Sequence, residues 1–247
     1  MFLGRTVAAG VVLAVVCLAR EARADEAPPD EPWRVHRIGL GLHLGAAIGA
    51  GQAANLSMSN RVGFAPMMAI ELGYRLHRNF SVVALGAAGV AAKKPSPCPE
   101  AVDGFSCTTT NLFALAGMGR YHLTIGGPIE PWVGAGLGVG VLTEKAEKTE
   151  TRSGSFCVVG CGGTDVITRS RNRFGPEAVV AIGASIRPSP RFSVGFGVHA
   201  FIGSYGSGTV KDEHKVGNSP ASSDFDVAGG AHAVLLATGS FIVQLGS

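Results

Sequence analysis

The chain has 247 residues, of which 46% are hydrophobic and only 16% charged, with 36 glycines and a formal net charge of +3. A soluble domain carries about 25% charged residues, and glycines without a G-X-Y period exclude collagen. What is left is an apolar, glycine-rich chain whose charges gather in a few segments, as suits a protein with lipid as part of its solvent.

The N-terminus reads as a secretory signal. Arg5 supplies the positive charge, Thr6 to Leu18 are almost wholly apolar, and Ala22-Arg23-Ala24 places small residues where signal peptidase reads. The apolar run falls short of the roughly 20 residues a membrane helix needs, so cleavage after Ala24 is expected. Cys17 does not make a lipoprotein site, because Val16 stands where a small residue is required. Removing residues 1–24 deletes three arginines and one glutamate and leaves +1. That near-neutral balance gives no case for nucleic-acid binding. Residues 25–33 then form a periplasmic N-terminal segment, and 34–247 the main domain.

From there the pattern has a period of two, which strands produce and helices do not. In the first strand Ile38, Leu40, Leu42, Leu44, Ala46 and Ile48 oppose Gly39, Gly41, His43, Gly45 and Ala47. The second sets Val62, Phe64, Pro66, Met68, Ile70, Leu72, Tyr74 and Leu76 against Ala65, Met67, Ala69, Glu71, Gly73 and Arg75. The third, Phe80 to Ala92, is too alanine-rich for its faces to be assigned. The fourth puts Phe113, Leu115, Gly117, Gly119, Tyr121 and Leu123 on one side. In the fifth, Pro131, Val133, Ala135, Leu137, Val139 and Val141 alternate with Trp132 and four glycines, and in the sixth Pro176 to Ile186 alternate with Glu177, Val179, Ala181, Gly183, Ser185 and Arg187. The seventh sets Phe192, Val194, Phe196, Val198, Ala200 and Ile202 against Ser193, Gly195, Gly197, His199 and Phe201; the eighth runs from about Phe225 to Leu245 with His232 on its polar side.

The connections alternate as well. His77-Arg78-Asn79, Thr124 to Ile129 and Arg187 to Arg191 are short, whereas segments 50–61, 93–109, 143–172 and 206–224 are long, polar or cysteine-bearing. This predicts an all-β fold, an eight-stranded antiparallel up-and-down transmembrane β-barrel with short periplasmic turns and long extracellular loops. The strands must close, since each unpaired backbone group in hydrocarbon costs several kcal/mol. A soluble barrel would show the same alternation with its apolar rows turned inward. Strand length, the glycine-rich opposite face and the low charge outside the loops favour the membrane.

Cys98, Cys107, Cys157 and Cys161 remain after export, an even number in a compartment where disulfides persist. Three connectivities are open; local pairing, Cys98–Cys107 and Cys157–Cys161, is the reading preferred over a zinc site at the C-x3-C. Trp33, Tyr74, Phe80, Tyr121, Trp132 and Phe192 fall near the turn ends, as an interfacial girdle would, although Trp132 has lumenal parity.

The segment Pro131-Trp132-Val133-Gly134-Ala135-Gly136-Leu137-Gly138-Val139-Gly140 resembles a strand of the OmpA/OmpX-type outer-membrane barrel superfamily. Gly73-Tyr74-Arg75-Leu76, Phe80-Ser81-Val82 and Arg191-Phe192-Ser193-Val194 are similar to that family's periplasmic hairpins. The resemblance covers the whole chain after the signal and implies structural, adhesive or narrow-pore roles. One departure is the end: members finish on an aromatic residue, whereas Gly246-Ser247 follow Leu245 here.

Parity sends His43, Glu71, Arg75, Glu177, Arg187, His199 and His232 into the lumen. Buried charges must pair, which predicts a plug of ion pairs and hydrogen bonds. A path gated by histidine protonation and a three-histidine metal site are the alternatives. Gly134 to Gly140 lacks the spacing and the following helix of a phosphate loop. His77 and His122 fall at turns, and His214 has no serine beside it, so no catalytic, cofactor or metal residue is expected. The loops carry whatever specificity exists; the charges of 143–172 serve chiefly to keep that loop solvated. The expected function is an outer-membrane barrel of a Gram-negative cell with a structural or surface-interaction role. A narrow passive pore is the alternative, and a lipid-modifying enzyme comes third. Expected partners are outer-membrane lipid, the barrel-assembly machinery and an extracellular partner at the loops, with no nucleic acid, no cofactor and a monomeric state.

Overall fold

The computed structural model describes residues 37–53, 56–92, 104–124, 129–151, 164–189, 191–206, 209–214 and 230–245. The expected signal peptide, the segment 25–33, Trp33, Cys98, Cys157 and Cys161 lie outside the described residues. In chain order the elements are β1 (Ile38–Ala53), β2 (Leu56–Ser57), α1 (Met58–Arg61), β3 (Phe64–His77), β4 (Phe80–Val90), β5 (Ser106–His122), β6 (Ile129–Thr151), β7 (Thr164–Ser189), β8 (Phe192–Tyr205), β9 (Thr209–His214) and β10 (Gly230–Leu245).

Eight of these make the wall. β1, β3, β4, β5, β6, β7, β8 and β10 each pair antiparallel with the next. β10 then returns to β1 over a register running from Ile38↔Leu245 to Gly51↔His232. The ring therefore has no open edge along the wall, the condition for a sheet to sit in hydrocarbon. Two of the three register shifts, at Arg75/His77 and Ile186/Ser189, adjoin short turns.

The wall is inside-out relative to a water-soluble protein. Ile38, Leu40, Leu42, Leu44 and Ile48 of β1 are exposed, as are Ile70, Leu115, Leu137, Val180, Phe196 and Leu235 on other strands. On the same strands Glu71, Arg120, Glu177 and His232 are at most 5% exposed. A soluble barrel would reverse both sets, so the aliphatic rows exclude it. The third strand, whose faces alternation left undecided, resolves cleanly: Ser81, Val83, Leu85 and Ala87 point in, while Phe80, Val82, Ala84 and Ala88 point out.

Three local expectations change. Val62 is no strand residue. It caps α1, whose Met58 and Arg61 are buried with it, and this turn folds over the end of the ring opposite the short turns. Segment 143–172 is mostly ladder rather than loop: β6 and β7 stay paired from Thr143↔Asn172 to Thr151↔Thr164. Segment 206–224 contributes β9, which pairs with Ile167 to Asn172 of β7. The ladder runs this far on backbone pairing: Thr143, Lys145, Glu147 and Thr149 continue the row of Val139 and Val141 with polar residues in place of aliphatic ones, while Glu144, Lys148 and Glu150 make the other face largely polar too. Of the eighth predicted strand, the part before Gly230 lies outside the described residues.

Candidate functional site

The lumen is a column of paired charges in three tiers. At the end of the short turns, Glu130 on β6 receives Arg187 Nη2 at 3.1 Å and Arg75 Nη1 at 3.5 Å. Arg75 also donates to the Arg78 carbonyl from Nε at 3.0 Å and from Nη2 at 2.5 Å, which ties this tier to the β3–β4 turn. Beside them the Ser81 hydroxyl lies 3.2 Å from His122 Nε2.

In the middle tier Arg120 grips Glu71 with both terminal nitrogens, at 2.9 and 2.7 Å. Such a fork-to-fork pair is the strongest arrangement open to these groups. His43 Nε2 reaches the same carboxylate at 3.0 Å. An ionised carboxylate only accepts, so His43 must donate from Nε2. The Arg120 guanidinium lies 4.1 Å from the Trp132 ring centre, a cation–π contact in the barrel axis. In the upper tier His232 Nε2 donates to Glu177 at 2.8 Å and stacks on Tyr205 at 3.8 Å. Above it Arg61, delivered by α1, is paired with Glu144 of β6.

All seven sequence-assigned lumenal residues, His43, Glu71, Arg75, Glu177, Arg187, His199 and His232, face inward. Six of them join polar pairs. His199 does not: neither ring nitrogen has a hydrogen-bond partner, and the ring packs instead 6.1 Å from His43, 6.0 Å from Trp132 and 6.5 Å from Phe201. Thus His199 fills space. The three histidines do not converge, because His232 is engaged by Glu177 and Tyr205. Among the described residues no cluster of three His, Cys, Asp or Glu side chains is placed to hold a metal.

Half of the network lies outside those seven residues. Arg120 and Glu130 carry the lumenal parity of their strands, so alternation marks them as it marks Glu71 and Glu177. Arg61 gave none, since it sits in a loop segment. His122, assigned to a turn, is instead the last inward residue of β5 and is 6% exposed. Ser81, His122 and Glu130 stand in the order of nucleophile, base and acid. However, His122 Nδ1 is 4.0 Å from Glu130, beyond hydrogen-bond reach, and the serine faces the lumen rather than lipid.

The inward glycines are seats for these side chains. A Cβ on Gly197 would come within 3.1 Å of the Trp132 indole, and one on Gly41 within 3.1 Å of Glu71 and 3.3 Å of His43. At Gly140 it would collide with the Glu177 carboxylate. The space that glycine leaves on the wall is therefore occupied. Cys107, at the start of β5 opposite Ala146, is buried and disulfide-bonded; the expected pairings involve cysteines outside the described residues.

A closed ring of eight antiparallel strands, apolar outside and charged within, defines the class of small outer-membrane-type β-barrels expected from the strand motifs. No protein-family model and no curated protein sequence matches the chain. Solved structures do share its fold. Neisserial surface protein A has 12% sequence identity and a TM-score of 0.50, over 84% of this chain and 97% of that one. A major outer membrane protein from Thermus thermophilus has 12% identity and a TM-score of 0.52, over 85% and 98%. At such identity the likeness is one of fold.

Proposed function

We propose that this chain is an integral barrel of the Gram-negative outer membrane, closed along its axis by the lumenal ion pairs and built to present its β6–β7–β9 extension outside the cell. The observation that carries the reading is the inversion of burial: aliphatic rows exposed on every wall strand, with Glu71, Arg120, Glu177 and His232 sealed inside. Lipid is the solvent that makes such an exterior stable, and mutual pairing is what makes such an interior stable. The extension gives an extracellular partner a surface to meet, and lipid and the assembly machinery are the contacts the wall itself requires. With the wall closed on itself, the chain has no need of a second copy and acts as a monomer.

A second reading, a narrow passive pore for small solutes or ions, draws support from a cavity of about 50 Å³ at the periplasmic end of the lumen. Planar-bilayer recording of the purified, refolded protein separates the two. A closed column gives no steady conductance in the native chain and openings in Glu71→Gln, which loosens the middle tier. Steady steps from the native chain would instead establish the pore. A lipid-modifying activity would require fatty-acid release that disappears in His122→Ala; the lumenal position of Ser81 and His122 speaks against it.

A further inference from the structure

The outward rows of the wall are not uniformly bulky. Register sets Ile38, Tyr74, Val82 and Gly119 side by side near the short turns, and Leu72, Ala84 and Gly117 in the next row above. Side chains therefore shrink from β1 and β3 across β4 to the glycines of β5. The result is a trough of about 670 Å³ in the outer surface, floored by Ala84, Gly117 and Gly119 and flanked by Ile38, Leu72, Tyr74 and Val82. A Cβ on Gly117 would meet nothing within 4 Å. Both ends of the trough are marked. Phe80 lies over Gly119, where a Cβ would come to 3.0 Å of its ring, and Leu115 reaches to 3.9 Å of the Cβ position at Gly86 in the row above.

The trough is continuous with the face that lipid covers, since Ile38, Leu72, Val82 and Leu115 belong to the exposed aliphatic rows. Its occupant must come from hydrocarbon rather than from water. A second barrel fits poorly, because two convex cylinders touch along a line and the flanking rows hold them off the floor. An empty trough leaves its lining atoms without partners and forfeits their dispersion contacts. A slender, flexible chain of methylenes reaches the floor. Inside a membrane such close packing is what holds partners together, because removal from water contributes nothing there.

We propose that this trough is the seat of one acyl chain of a membrane phospholipid, held while the surrounding lipids exchange. The inference rests on the reading of the aliphatic rows as lipid-facing, and adds to it one position and one occupant. Tyr74 and Phe80 stand at the short-turn end, where aromatic rings sit at head-group level, so the lipid comes from the leaflet on that side.

The test is native mass spectrometry of the protein refolded into nanodiscs of dioleoyl phosphatidylethanolamine and dioleoyl phosphatidylglycerol, then released by collisional activation. One phospholipid should survive on the native chain after the rest is stripped. Gly117→Leu, whose side chain enters the open trough, should lower the retained fraction by roughly tenfold or more. Ala237→Leu, on an exposed row across the barrel on β10, should leave it unchanged. In the same nanodiscs, nuclear Overhauser contacts from chain methylenes to the Leu72 and Val82 methyl groups should weaken in Gly117→Leu, while those to Leu235 on β10 stay as they are. No retained lipid on the native chain, or equal retention in native and Gly117→Leu protein, would overturn the proposal. So would a mass of two chains that Gly117→Leu reduces to one, which would make a second copy the occupant. Failure of the native chain to enter nanodiscs would sink the lipid-facing reading itself, and the seat with it.

Discussion

The two faces of the wall obey different rules although they alternate residue by residue along the same strands. Outside, any aliphatic or aromatic side chain serves: Leu, Ile, Val, Phe and Met interchange freely from strand to strand, because lipid moulds itself to whatever it meets. Inside, each position is fixed by a partner, as Gly140 is by Glu177, Gly197 by Trp132 and Glu71 by Arg120 and His43. The lesson is that outward positions carry polarity alone, whereas inward positions carry identity.

Breaking the inner rule should have the largest consequence. Arg120→Leu leaves Glu71 buried with only His43, and loss of one partner of a buried pair costs about 3–5 kcal/mol. Urea unfolding of the protein in lipid vesicles measures this; a loss below about 1 kcal/mol would mean that the grip on Glu71 contributes little. The contrast sharpens when one substitution is made on both faces. Leu85, 1% exposed and inward, should lose about 2–5 kcal/mol on change to alanine, because a cavity opens in a packed interior. Leu115, 52% exposed and outward, should lose only the transfer term of about 1–2 kcal/mol, since lipid fills the gap. Equal losses at the two would erase the distinction. The smallest effect belongs to the extension: Lys148→Ala removes a half-exposed pair with Glu150 at 2.7 Å and should change stability by less than about 1 kcal/mol.

This division also decides how much could be read from sequence. Polarity with a period of two is a one-dimensional signal, so strand count, outward rows and all seven assigned lumenal residues were legible. Partnership is not one-dimensional. Glu71 and His43 were placed side by side by parity and by the neighbouring strand, but Arg120 lies on a strand two places further round, and its reach to Glu71 depends on barrel curvature. The role of His199 as a spacer could not be separated from that of His43, because both share the same inward alternation. Arg61 was hidden altogether: its segment carries no periodicity, and only the folding of α1 over the mouth brings it to Glu144. The β6–β7 extension escapes such a reading because Thr143 to Glu150 are polar on both faces apart from Ala146, so polarity has no period of two there and a solvated loop is the expectation.

That extension has a mechanical consequence. The apolar band on β6 and β7 stops at the Val141↔Phe174 pair, yet the ladder continues for nine register pairs, Thr143↔Asn172 to Thr151↔Thr164. At roughly 3.3 Å per residue this is about 30 Å of stiff hydrogen-bonded ribbon beyond the lipid. β9 buttresses its lower two thirds. A limp strand of that length would have to be frozen by whatever touched it, at about 1–2 kcal/mol of backbone entropy per residue. Here that ordering is complete before any encounter, so the barrel holds out a rigid mast rather than a tether.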